Sequence, residues 1–188
     1  MIFNQHLNLE GQHAFLGASQ FYWIHDTDED LIERYKSAIA VKRGTELHEF
    51  AAMCIRNKRK LRGTDTLAQY VNDAIGFNLY PEVVIRYSEN CFGTADAINY
   101  DEDEMFLRIH DLKTGKIKAH MEQLYIYASL FCLEYNISPG EIKIETRIYQ
   151  NNDIVVDSPT AEIILPIMDR IISADKLIRK VINGEVVY

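Results

Sequence analysis

Asp96, Asp111 and Lys113 are the residues of this chain whose types and spacing could do chemistry. They fall at the ends of two predicted β-strands joined by a short acidic turn. In an extended strand alternate side chains share a face, so Asp111 and Lys113 point together into one space while Leu112 points away from it. Leu107 and Ile109 share that face, so an apolar strand surface gives way to charge at its C-terminal end. Two carboxylates converging with a lysine suit a hard divalent cation and a phosphate ester. Mg²⁺ takes oxygen ligands in an octahedron at roughly 2.0–2.1 Å and keeps several waters, so two acids and a main-chain carbonyl make a sufficient protein share. Such a metal polarises a phosphoryl oxygen and acidifies a bound water, while Lys113 orients that water or steadies the developing charge. Taken alone, the Asp-x-Lys triplet favours a plainer reading, an exposed strand-end ion pair worth roughly 0–1 kcal/mol, with Asp96 a turn residue. The surrounding order and spacing decide between the two.

Several elements must position these groups. From Thr27 an acidic first turn and Leu31, Ile32, Tyr35, Ala38 and Ile39 at helical spacing predict a helix to about Val41. Gly44 and Thr45 open a second helical run whose stripe is Leu47, Phe50, Ala51, Cys54 and Ile55, with His48 at its border. Residues 64–76 predict a third helix, capped by Thr64 or Thr66. The period then changes. Residues 83–87, 92–100 and 105–113 are β-rich runs separated by short polar turns, which predicts three antiparallel strands in a meander. In the second run Gly93, Ala95 and Ala97 leave one face nearly bare for the approach of a helix, with Phe92, Thr94, Asp96 and Ile98 opposite. Residues 119–136 form the clearest helix, with Met121, Leu124, Tyr125, Ala128, Phe131, Cys132 and Tyr135 as its core stripe and Gln123 and Tyr127 together on a neighbouring face. Two more strands at 141–150 and 153–157 flank an Asn151-Asn152 hairpin turn. A last helix runs to about Ile182 and either starts or kinks at Pro166. Residues 1–26 carry no sustained period and predict no element.

At 188 residues with 47% hydrophobic and 26% charged, the chain reads as one soluble domain with a substantial core. Twenty basic against 28 acidic residues leave a formal charge of −8, the wrong sign for holding nucleic acid by bulk electrostatics. Local clusters must do any phosphate binding, and the best is Arg56-Asn57-Lys58-Arg59-Lys60-Leu61-Arg62, at a helix end. On its own that run is a solvated helix terminus. Cys54, Cys91 and Cys132 are odd in number and widely spaced in apolar segments, as for buried free thiols in a reducing cytosol. The N-terminus lacks the basic flank and apolar run of a signal peptide, and no run is long enough for a membrane span. A cytoplasmic setting, in a bacterial or phage-infected cell, is expected.

Five short segments in order resemble one family: Gly44-Thr45-Glu46-Leu47-His48, Pro81-Glu82, Gly93-Thr94-Ala95-Asp96, Asp111-Leu112-Lys113-Thr114-Gly115, and Gln123-Leu124-Tyr125-Ile126-Tyr127. Together they look like the PD-(D/E)XK nuclease superfamily, in its RecB-like and phage-type exonuclease branch. The resemblance implies an α/β restriction-endonuclease-like core (helix, three-strand meander, helix, strand) over about 44–157, with N-terminal helices and a C-terminal helix, all in one domain spanning 1–188. It implies a Mg²⁺- or Mn²⁺-dependent DNA nuclease, more specifically an exonuclease of recombination, repair or phage DNA processing. Asp96, Asp111, the carbonyl of Leu112 and His48 would bind metal, and Lys113 would be the catalytic lysine. Glu82 would assist from the site's edge. Gln123 and Tyr127 would support the lysine or touch the DNA backbone, with Arg56, Lys58, Arg59 and Lys60 as further substrate contacts. Asp111 stands where many members have glutamate, which shortens the reach to metal. Three scattered cysteines exclude the four-cysteine iron–sulfur cluster of some relatives. The expected partners are DNA ends, single- or double-stranded, with a homo-oligomer or a recombination protein beside them and no membrane. Two alternatives stay open at this point: a non-catalytic DNA- or protein-binding module of the same fold, and an endonuclease or RNase of that fold.

Overall fold

Five strands in the order β1-β2-β3-β4-β5 form the mixed open sheet on which the chemistry-bearing residues sit. The computed structural model describes residues 5, 7–9, 11–115 and 117–185. The strands are β1 (Tyr80–Ser88), β2 (Cys91–Asp101), β3 (Phe106–Leu112), β4 (Lys143–Gln150) and β5 (Asp153–Asp157). The first three make the expected antiparallel meander. β4 pairs parallel to β3, which the sequence reading did not anticipate. A parallel return needs a long crossover, and helix α3 (Glu122–Tyr135) supplies it. β5 closes antiparallel on β4 through Asn151 and Asn152, whose φ values of 53° and 61° give the hairpin turn its left-handed pair.

The chain divides into two compact units, Met1–Arg43 and Gly44–Tyr188. The first contains the 3₁₀ segments Leu7–Leu9 and Ala18–His25 and the first part of helix α1 (Asp28–Arg56). Residues 1–4, 6 and 10 of the stretch without an expected element lie outside the described residues. Within this unit Phe15 meets Tyr35 edge-on at 5.0 Å, and Trp23 Nε1 donates to the Gly17 carbonyl at 3.2 Å. Thr27 Oγ1 accepts from the Asp30 amide at 3.2 Å, capping α1 ahead of its acidic first turn.

Two helices were expected between Thr27 and Ile55, and one unbroken α1 is found. Gly44 is not a break. It is buried, and a Cβ there would lie 2.9 Å from Thr114 Oγ1, so its bareness admits the loop that follows β3. Helix α2 (Thr66–Gly76) is capped by Asp65, which accepts from the Ala68 amide, rather than by either threonine. Helix α4 (Ala161–Ile182) starts before Pro166 and contains it. No helix of the described residues is long and apolar enough to cross a membrane.

Both faces of the sheet are covered within the second unit. On one side Ala51, Cys54 and Ile55 of α1 and Tyr70, Val71 and Ala74 of α2 pack with Ala97, Leu112 and Tyr149. On the other, α3 and α4 pack with Ile85, Ala95, Ile98, Leu107, Ile109, Ile144 and Ile148. The strict alternation expected for β2 fails between these sets. Ala95 and Ile98 serve one core and Ala97 the other, so the strand changes face around Asp96. Tyr135, expected in the α3 core stripe, is exposed, whereas Leu130 is buried. Cys54 and Cys132 are buried free thiols as expected, but Cys91 is only half-buried.

His110 of β3 is fully buried between the sheet and α2. Tyr149 Oη donates to Asp73 at 2.8 Å and therefore accepts the Nδ1–H of His110 at 3.2 Å, which leaves the imidazole Nε2 a buried lone pair with no partner. Burial, with the nearby Arg147 and Arg108 charges, pushes its pKa down to about 3. The unfolded chain binds a proton at His110 below about pH 6.5 that the folded chain refuses, so stability falls as pH drops through that window. Urea denaturation at pH 7 and pH 5 should show a loss of about 2 kcal/mol from this residue, a loss that His110→Phe removes. An equal acid dependence in wild type and variant would contradict the buried neutral imidazole.

Candidate active site

Three elements bring His48, Glu82 and Asp96 together, with one ligand atom from each lying within 4.8 Å of the others. His48 stands one turn beyond Gly44 on α1, Glu82 lies in β1, and Asp96 sits where β2 changes face. His48 Nδ1 is 3.3 Å from Asp96 Oδ2, and the same oxygen accepts the Leu112 amide at 2.9 Å. The hydrogen bond to Asp96 raises the His48 pKa, against the opposing effect of burial. Burial, followed by the Asp96 charge, raises that of Glu82, with His48 and Arg56 pulling it back. Glu82 has a φ of 55°, a left-handed backbone inside a strand. That conformation costs a non-glycine residue on the order of 1–3 kcal/mol and persists where the surroundings over-determine it.

Asp111 stands beside this cluster with its residue only 2% exposed. Burial first, then the Asp96 charge, pushes its carboxyl up to about 6, with Lys113 and His48 opposing. Lys113 Nζ donates to Asp111 Oδ1 at 3.1 Å. It is also 3.0 Å from Oδ2, but the direction is poor for a hydrogen bond, so this second oxygen is buried without a donor. Lys113 Nζ donates onward to Gln123 Oε1 at 2.7 Å, Gln123 Nε2 to Tyr127 Oη at 3.3 Å, and Tyr127 Oη to the Thr94 carbonyl at 2.7 Å. A relay therefore runs from β3 across α3 to β2. Gly93 makes it possible, because a Cβ there would come within 2.8 Å of the Tyr127 ring.

Of the residues singled out in the sequence, His48, Asp96, Asp111, Lys113, Gln123 and Tyr127 converge here. Glu82, expected at the edge, belongs to the tight ligand group, whereas Asp111 is not among those three. Leu112 contributes its amide to Asp96. Arg56 and Lys58 line a cleft beside Pro81, while Arg59 and Lys60 are exposed just past the turn that follows α1. Two supporting residues escaped the sequence reading. Gln150 Nε2 donates to the carbonyls of Gly115 and Ile117 at 2.6 and 2.7 Å, and its Oε1 accepts from the Ala119 amide at 3.1 Å, clamping the loop after Lys113. A glutamine before Asn-Asn reads only as a strand end. Tyr70, buried in α2, has its hydroxyl pushed well above the usual range by burial and then by the charges of Asp96, Asp111 and Glu82. Its place within a predicted helix gave no sign of that proximity.

One imidazole and two carboxylates, with a donor-less buried oxygen alongside, form a donor set that fits a hard divalent cation. Comparison with protein-family models, curated proteins and solved structures finds no match for this chain.

The relay makes a prediction about packing. Gly93→Ala should push the Tyr127 ring aside and destabilise the protein by about 1–3 kcal/mol in urea denaturation. In a Tyr127→Ala background the same change should be close to neutral. Equal effects in both backgrounds would show that the glycine serves something other than Tyr127.

Proposed function

We propose that this chain is a divalent-metal-dependent DNA nuclease of the PD-(D/E)XK type that hydrolyses phosphodiester bonds, acting as an exonuclease in recombination, repair or phage DNA processing. The observation that carries this reading is a lysine ammonium held between Asp111 and Gln123 beside the His48–Glu82–Asp96 cluster. The α/β arrangement supports it: the motif residues fall on α1, β1, β2, β3 and α3 in chain order, as the resemblance implies. The exonuclease part rests on the resemblance of the motifs alone.

Mg²⁺ or Mn²⁺ bound here would supply Lewis acidity to the scissile phosphate and lower the pKa of a nearby water. His48, Glu82 and Asp96 would hold the ion, with Asp111 completing the acidic wall and the Leu112 amide fixing the Asp96 carboxylate. Lys113, steered by two acceptors, donates from a fixed position toward the attacking water or the charge that develops on the phosphoryl oxygens. Gln123 and Tyr127 keep that ammonium from swinging into solvent. Arg56, whose charge acts on Glu82, and Lys58, in the same cleft beside Pro81, supply local positive charge on a chain of net charge −8.

Asp96→Ala, Asp111→Ala and Lys113→Ala should each lower Mn²⁺-dependent degradation of DNA by roughly 100-fold or more, with far-UV circular dichroism unchanged. Calorimetric titration with Mn²⁺ should give a binding heat that Asp96→Asn loses. Full degradation by the variants, or no metal heat in the wild type, would sink the reading. Linear against covalently closed DNA, single- and double-stranded, with RNA as a third substrate, separates exonuclease from endonuclease and RNase.

A further inference from the structure

Two clefts meet at one exposed aromatic ring. Tyr80 opens β1, two residues before Glu82, and is 66% exposed. On one side it walls a cleft of about 420 Å³ whose charged lining is Arg56 and Lys58. On the other it walls a cleft of about 500 Å³ built from Tyr100, Phe131 and Tyr135. These three rings form a ladder, with Tyr100 and Phe131 centroids 5.1 Å apart and Phe131 and Tyr135 4.8 Å apart. Phe131 is its buried floor, and Tyr135, at 58% exposure, an open wall. Asn99 and Glu102 line the same cleft and can accept hydrogen bonds from exocyclic amino groups of a base.

We propose that these paired clefts bind unpaired nucleic acid, with a phosphate on Arg56 and Lys58 and an adjacent base stacked in the aromatic cleft against Tyr80 and Tyr135. A basic groove beside aromatic platforms is how proteins hold single strands without reading sequence. In a duplex the base faces are already stacked on one another, so the aromatic cleft has nothing to hold until a base is unpaired. The same side of Tyr80 that carries the cations leads along β1 through Pro81 to Glu82, so a strand seated here points toward the acidic cluster. That direction rests on the nuclease reading, whereas the binding itself does not.

The test is fluorescence anisotropy in EDTA, with a labelled single strand of about 12 nucleotides and the same sequence as a blunt duplex. The single strand should bind more tightly. Tyr80→Ala and Tyr135→Ala should each weaken it about ten-fold and leave duplex affinity unchanged, and Tyr80→Phe, which keeps the ring, should bind like the wild type. Arg56→Gln and Lys58→Gln should each flatten the dependence of affinity on salt by about one unit of slope. Because both tyrosines are exposed, their loss leaves the core intact, and circular dichroism checks this. Single-strand binding indifferent to both alanine variants, or a wild-type preference for duplex, overturns the proposal. Since no metal is present, single-strand binding through Tyr80 in a protein that never cleaves DNA would uphold this site and remove the nuclease reading instead.

Discussion

A carboxylate that almost no water reaches, that of Asp111, sets the terms for much of this structure. Burying a charge is tolerable only with a partner of good geometry, and the partner here is a lysine whose own position needs fixing. Gln123 fixes it, Tyr127 holds Gln123, and the Thr94 carbonyl holds Tyr127. Each step demands something of the backbone. Tyr127 can reach β2 only over a residue without a side chain, and α3 can present Gln123 because it packs on the sheet face that Leu107 and Ile109 line. The result is an ammonium with a defined direction beside a group of acids, which is what distinguishes this arrangement from a surface ion pair.

The sheet does the rest of the positioning by breaking its own rules locally. β2 changes face around Asp96, and β1 accepts a left-handed Glu82, so carboxylates from neighbouring strands turn toward His48 where regular alternation would have separated them. The parallel pairing of β3 with β4 brings Gln150 beside the loop after Lys113, where its side-chain amide binds three main-chain groups. A regular antiparallel sheet would offer none of these contacts.

Much of this was legible in the residues because it depends on local pattern. The meander, the helix that follows it, the Asn-Asn hairpin and the shared face of Asp111 and Lys113 follow from periods of 2 and 3.6 and from turn chemistry. Gly93 announced a close approach, and Tyr127 makes it. The failures were tertiary. Gly44 looked like a helix end because nothing in sequence shows Thr114 pressing on it. Glu82 looked peripheral because a left-handed residue inside a strand has no signature outside glycine and asparagine. Tyr135 fell on the apolar stripe of α3 by period, yet opens on a cleft. The parallel partner of β3 was invisible because pairing choice is decided by packing on both faces.

Glu82, Asp96, Asp111, Lys113, Gln123 and Tyr127 all lie within one continuous stretch of two hairpin connections and a single crossover. Contacts so close in sequence close short loops, which carry small entropic penalties and form fast. The acidic wall and its lysine are therefore joined by contacts of low sequence separation. His48 enters from α1, on the far side of α2 in the chain. The packing of α1 on the sheet therefore also sets the one imidazole of the cluster beside its carboxylates.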